Sequence, residues 1–385
     1  MFGARFLPFV APLSPSVPFP PKLFPMNPRR LAVLLVVAIA LSLWIAGAPP
    51  DQPQAPPATP VPSPPVRGMT ISCHSWGWEW GTDEMVGSMA LLKAMGVNWI
   101  TIHPYAGIRA DGRVAMSDRW YGDTRWITRP IAEAHRLGLK IMIKPHLAYW
   151  GSKFSWRGEI AFSDDESWER FFVTYETWIN RVAELSAGAD AFVVGTELDR
   201  TVHHEKQWRR IIAGVRTRVG EKVPLTYSAN WDAFTNIPFW DALDVIAIQA
   251  YFPVALEAGL PEPEALAATW KAHLRRLDRF ALRRDRKILF AELGYSRSPR
   301  AAVEPWSGRE GGEHADEIQR RCLTAALEAV EGSESIIGVF LWKWFPGETR
   351  RGNFLMSTPA MRRVIQTHWG QAKDRSPREA VAPPT

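Results

Sequence analysis

Cysteine is scarce in this chain. Two occur in 385 residues, Cys73 and Cys322, with neither a paired framework nor a metal-type spacing. A disulfide scaffold and a zinc module are excluded, and both are expected to be free buried thiols. No glycine-rich phosphate fingerprint follows any strand-like segment, which argues against a nucleotide-binding α/β protein. His203-His204-Glu205 lacks the HExxH spacing of a zinc helix and reads as a solvated helix start. Ser75 and Ser228 lack the strand-to-helix elbow of a serine hydrolase. No Lys/Arg block interleaved with aromatics is present either. The net charge of +6 comes from arginines scattered over amphipathic stretches such as RRLDRFALRRDRK (275–287), and from Arg5, Lys22, Arg29 and Arg30 before the first acid, Asp51. A solvated basic face is expected, and no nucleic-acid partner.

What is plentiful is apolar residues, 46% of the chain, enough for a large core. There are also 19 tryptophans, a residue used both in cores and where flat rings stack on sugars. The N-terminal 1–30 is a basic segment. Leu31 to Ala48, LAVLLVVAIALSLWIAGA, carries no charge and follows Arg29 and Arg30. It reads as a signal sequence or a membrane anchor, and either places the rest outside the cytoplasm, secreted or held at the cell surface. Residues 49–66 are a proline-rich linker, extended and semi-rigid. The polar stretch 371–385 is expected to be disordered.

From 67 to 370 the pattern alternates. Short apolar, β-branched runs stand at 69–73, 97–103, 140–146, 191–197, 224–230, 244–251, 287–292 and 337–344, as for strands covered on both faces. Amphipathic segments lie between them: 84–95, 128–137, 166–187, 205–219, 262–282, 314–331 and 359–367. Only the stretch after the fifth run, AFTNIPFWDAL, is poor in helix signals. Eight strand–helix units in about 300 residues predict a single (β/α)8 TIM barrel.

Two of the runs end in acids. AFVVGTELDR carries a buried-type strand into Glu197, and KILFAELGYS carries another into Glu292. These are the ends of strands 4 and 7, and a barrel keeps its chemistry at the C-terminal strand ends. Asp190 and Asp244 come at strand starts instead and read as caps or turn residues. Two carboxyls in one mouth can be split into a proton donor and an ionised nucleophile, which is what glycoside cleavage requires. The same rim carries residues suited to sugars: His74, Trp76, His103, Tyr105, Lys144, His146, Asn230, Trp231, Gln249, Tyr251, Trp342 and Trp344. Trp78-Glu79-Trp80 reads equally as a subsite wall or as loop packing.

The stretches IKPH (143–146), VVGTEL (193–198), YSANWD (227–232), IQAYFP (248–253) and FAELGYS (290–296), with Trp342, resemble the retaining glycoside hydrolases of clan A. Within that clan they are most similar to glycoside hydrolase family 113, the β-mannanase family. The resemblance implies that Glu197 is the acid/base and Glu292 the nucleophile, with Tyr251 donating to Glu292. It implies that Trp342 forms the floor under the attacked sugar, while Lys144, His146, Asn230 and Trp231 line the cleft; from its place on the rim, Trp76 is expected to bind substrate with them. The implied substrate is β-1,4-mannan or manno-oligosaccharide; no cofactor or metal is needed, and a monomer is expected. Where many clan members have Asn before the acid/base, this chain has Thr196, so Asn230 or another group would contact the 2-hydroxyl. Another hemicellulose or β-glucan is an alternative substrate. A non-catalytic glycan-binding barrel is the alternative outside enzymes, though it need not keep both acids.

Overall fold

A computed structural model of the protein describes residues 65–370, apart from 348, 350 and 351. The basic segment, the apolar run 31–48, nearly all of the linker and the 371–385 tail lie outside the described residues. Among the described residues, no helix is long and apolar enough to cross a membrane.

Eight strands close into a barrel: β1 (Val66–Ile71), β2 (Trp99–Ile102), β3 (Lys140–Ile143), β4 (Ala191–Thr196), β5 (Leu225–Asn230), β6 (Ile246–Gln249), β7 (Ile288–Leu293) and β8 (Ile336–Trp344). Each pairs in parallel with its sequence neighbours, and β1 pairs with β8. Helices α1 (Asp83–Ala94), α2 (Arg125–Arg136), α3 (Asp165–Leu185), α4 (Glu205–Val219), α5 (Pro263–Arg284), α6 (Ala315–Glu331) and α7 (Pro359–Trp369) follow every strand but β5. After β5 there are only two short 3-10 turns, Phe234–Asn236 and Trp240–Ala242, where helix signals were lacking.

The helix starts follow local chemistry. Asp164 accepts the Ser167 N–H at 2.8 Å and caps α3. Thr358 caps α7, with Pro359 in its first turn. Helix α4 stops at Gly220, whose φ of 94° suits glycine alone. Helix α2 begins three residues before the expected Thr128, where Asp123 takes both the N–H (3.0 Å) and the guanidinium (2.7 Å) of Arg125.

The core has two layers. Val66, Trp99, Met142, Val193, Leu289 and Phe340, one from each of six strands, form a cluster of their own with Val245. They fill the barrel. The alternate residues, such as Val194, Ile288 and Phe290, pack outward with the helices in a much larger cluster. Both aspartates at strand starts close the lower end. Asp190 accepts Ile141 N–H at 2.9 Å, and Asp244 accepts Leu225 N–H at 2.7 Å and an Arg216 N–H at 2.5 Å.

Two expectations are corrected. The second and third runs do not stay strand to His103 and His146: β2 ends at Ile102 and β3 at Ile143. Pro104 and Pro145 interrupt them, because proline has no N–H to continue a ladder. Beyond the prolines, Tyr105–Ile108, Val114–Ala115 and His146–Ala148 form a separate three-stranded sheet. Cys322 is a buried free thiol, but Cys73, also free, is only half-buried. The arginine-rich faces are solvated and tied locally, as where Arg209 meets Glu205 (2.7 Å) and Asp241 (2.8 Å); such pairs contribute little stability.

Candidate active site

Strict alternation would not bring both glutamates to the mouth. On β7, Leu289 faces the barrel interior and Phe290 the helices, so Glu292 should face outward with Phe290. Between Phe290 and Glu292 the chain advances two residues while β6 advances one, from Ile248 to Gln249. This β-bulge flips the parity and turns the carboxylate into the mouth. On β4, three steps from Val193 to Thr196 match two on β5, from Thr226 to Ser228. Val194 faces outward, and so does Gly195: a Cβ there would lie 2.6 Å from the Trp208 ring and 3.0 Å from Tyr227. Glu197 then takes a left-handed φ of 54° while its N–H is held by Ser228 O at 2.9 Å. A side chain in that conformation costs about 1–2 kcal/mol, the kind of strain that collects at working sites.

Glu292 is buried and has two donors. Lys144, just past the end of β3, gives one N–H to Oε1 at 2.5 Å and another to Ala291 O at 3.1 Å. The Tyr251 hydroxyl donates to Oε2 at 2.6 Å. Burial and the Glu292 charge push the Tyr251 hydroxyl well above its usual range, so it remains a donor. Burial lowers the Lys144 ammonium, against the pull of Glu292. The His146 ring stands 3.7 Å from Oε1, and burial holds it well below its usual pKa, hence neutral.

Glu197 is built differently. Among the described residues its one ion pair is with Arg157 Nη1 at 3.0 Å, from a loop rather than a strand. Burial raises its pKa to about 7; the charges of Glu292 and Asp199 add to this and Arg157 opposes it. One carboxyl is thus clamped by donors, and the other holds a proton near neutrality. Asp199, below it, is itself pushed up to about 6 by burial, with the Asn230 amide donating to it at 3.0 Å.

The two acids open into a cleft of about 1340 Å³. Trp76, His146, Asn230, Trp231, Tyr251 and Trp342 all line it. Lys144 does not: its side chain is fully buried beneath, under the Trp342 ring at 5.2 Å. His103, Gln249 and Trp344 are likewise buried, away from the rim. Trp78 and Trp80 are loop packing, the latter bonding Ile71 O at 2.9 Å, while Glu79 accepts the His74 and Ser75 N–H groups. His204 packs on Trp168, its ring centre 4.3 Å away. Among the described residues, no group of His, Cys, Asp and Glu side chains could hold a metal ion.

Sequence reasoning missed Arg157, Trp150 and Trp306. Trp150 sits edge-on to Trp76 at 5.9 Å, and Trp306 stacks on Trp231 at 5.6 Å, on different walls of the cleft. All three come from the long connections after β3 and β7. The signal available was length: βα loops of this size at the top of a barrel carry function.

The family model for Glycoside Hydrolase Family 113 matches residues 69–351. A GH113 β-mannanase from Alicyclobacillus acidocaldarius, solved in complex with ManMIm, superimposes with a TM-score of 0.68 at 27% identity, over 79% of this chain and 97% of that one. A further GH113 β-1,4-mannanase gives 0.67 at 20% identity, over 79% and 98%. A Ruminococcus gnavus β-glucuronidase shares the fold at 13% identity with a TM-score of 0.55, over 79% of this chain and 50% of that one. Comparison with curated proteins found no match.

Proposed function

The chain belongs to glycoside hydrolase family 113, and from that premise we propose that it is a retaining enzyme that cleaves β-1,4-mannosidic bonds in mannan or manno-oligosaccharides. The observation that carries the reading is the asymmetry of two carboxyls in one mouth. Glu292, held by Lys144 and Tyr251, attacks the anomeric carbon as a carboxylate. Glu197, with its pKa raised to about 7, gives its proton to the leaving oxygen as that bond breaks. Glu197 then takes a proton from water, which attacks the same carbon and frees Glu292. Trp342 floors the attacked sugar, while Trp76 and the Trp231–Trp306 pair offer apolar faces to its neighbours.

The contact to the 2-hydroxyl falls elsewhere than on Thr196, whose hydroxyl already donates to Pro145 O at 3.1 Å. The Asn230 amide N–H is also engaged, by Asp199. His146 lines the cleft, but its ring nitrogens, buried and unbonded among the described residues, do not reach the 2-hydroxyl either. This departure is what favours the second reading, a β-glucan or other hemicellulose substrate. We place the enzyme outside the cytoplasm, secreted or held by residues 31–48, and acting as a monomer.

The test is cleavage of β-1,4-linked manno-, gluco- and xylo-oligosaccharides, with Glu292→Gln as the blank. The manno-series should be cleaved, the Gln variant should be inert, and proton NMR should show the β-anomer released first. Cleavage of another series alone would replace the substrate, activity of Glu292→Gln would remove the nucleophile, and a first α-anomer would rule out retention.

A further inference from the structure

One cation in the cleft has no task in the chemistry above. Lys343 follows Trp342 on β8 and lines the cleft beside Cys73 and Phe345. Its ammonium is 5.2 Å from the Trp342 ring centre and 5.3 Å from that of Phe345, held between two π faces. Its backbone is fixed on both sides, donating to Phe354 O at 2.9 Å and accepting Met356 N–H at 3.0 Å. Lys144 and Arg157 each have a carboxylate; among the described residues Lys343 has neither an ion pair nor a side-chain hydrogen bond.

Among the described residues, the carboxylates whose fields reach it are already engaged. Glu292 is held by Lys144 and Tyr251, and Glu310 by Arg297 at 2.8 Å. Burial pushes the Lys343 ammonium below its usual range. A cation partly withdrawn from water, with no counter-charge among the described residues, is costly to keep, and the cost is recovered when an anion arrives. A neutral mannan brings none.

We propose that Lys343 receives a carboxylate carried by the substrate, so that the cleft takes an acidic β-mannan bearing uronate residues in preference to the neutral polymer. The proposal rests on the reading of this cleft as a β-mannan site. Charge-assisted hydrogen bonding in a partly dry pocket would give the acidic chain an advantage of about 10- to 100-fold in kcat/KM.

The experiment compares full-length wild-type protein, Lys343→Met and Lys343→Arg on manno-oligosaccharides and on the same oligosaccharides oxidised at C6 to mannuronate. A pyruvylated oligosaccharide run beside them separates a uronate from a ketal-borne carboxylate. The wild type should prefer the acidic chains, Lys343→Met should lose at least tenfold of that ratio, Lys343→Arg should keep most of it, and added salt should weaken it. An equal loss on neutral and acidic chains, or a wild type that prefers the neutral ones, overturns the proposal while leaving the mannan reading in place. If neither series is cleaved, the mannan reading fails and calorimetric binding decides. Tighter binding of the mannuronate chains to wild type than to Lys343→Met sustains the carboxylate site; equal or absent binding removes it.

Discussion

Arg157→Gln tests the proton donor most directly. Arg157 Nη1 lies 3.0 Å from Glu197 Oε2, and both side chains are mostly buried, at 10% and 17% exposure. At an effective dielectric of about 20, two unit charges 4 Å apart attract by about 4 kcal/mol. Part of that is offset by desolvation, and an arginine beside a carboxylate typically lowers its pKa by about 1–3 units. The sign follows from the role. Glu197 must carry a proton to release the leaving group, so kcat/KM falls as pH rises through its pKa of about 7 in the free enzyme. Without the guanidinium, Glu197 holds its proton to higher pH. The alkaline limb of kcat/KM should therefore move upward by about one to two pH units in Arg157→Gln, whose amide keeps a donor in place. The assay is the pH profile of kcat/KM on whichever oligosaccharide the wild type cleaves. A limb that stays put or moves down would refute Arg157 as the charge that sets this acid.

Three further outcomes are expected. Tyr251→Phe removes one of the two donors to Glu292 and should lower kcat about 10- to 100-fold with little change in urea midpoint, the effect of losing a hydrogen bond to a charged group. Lys144→Met leaves a buried carboxylate without its cation and should cost about 3–5 kcal/mol in urea unfolding, with much of it restored in the double variant Lys144→Met/Glu292→Gln. Gly195→Ala drives a methyl into Trp208 and Tyr227. It should destabilise by about 1–3 kcal/mol and depress activity further, since the Tyr227 hydroxyl accepts the Leu198 N–H at 2.7 Å, next to Glu197.

The barrel was legible because its signal is repeated. Eight apolar runs separated by amphipathic segments leave few architectures, and even the missing helix after β5 showed as a stretch without caps or period. What failed was local. The Ile102 and Ile143 strand ends turn on prolines at 104 and 145, and an apolar run such as KIMIKPH hides them. The ring of strand-end residues was too generous for the same reason: whether His103, Gln249 or Trp344 reaches the mouth depends on pairing register, which composition does not encode. Trp80, Trp178, Trp208, Trp240, Trp270 and Trp344 are fully buried, whereas Trp76, Trp150 and Trp306 are about half exposed. The count of tryptophans therefore mixed two populations that only packing separates.

The two glutamates raise the same question of register. An apolar strand that runs into an acid desolvates it, and desolvation alone would make both carboxyls weak acids with no division of labour. The difference lies in where their cations come from. Lys144 directly follows β3, fully buried and bonded also to the backbone carbonyl of Ala291, so its charge is fixed beside Glu292. Arg157 comes from a 3-10 turn in the loop before α3, and its pair with Glu197 is that carboxyl's only one among the described residues. In the proposed mechanism the first acid must be ionised when it attacks and when it leaves, never taking up a proton, while the second must lose and regain one in each turnover. A counter-ion fixed in the buried layer at a strand end suits the former, and one carried on a loop suits the latter. The bulges in β4 and β7 are the backbone expression of the same need, since each breaks the alternation of its strand close to where the carboxyl turns toward the cleft.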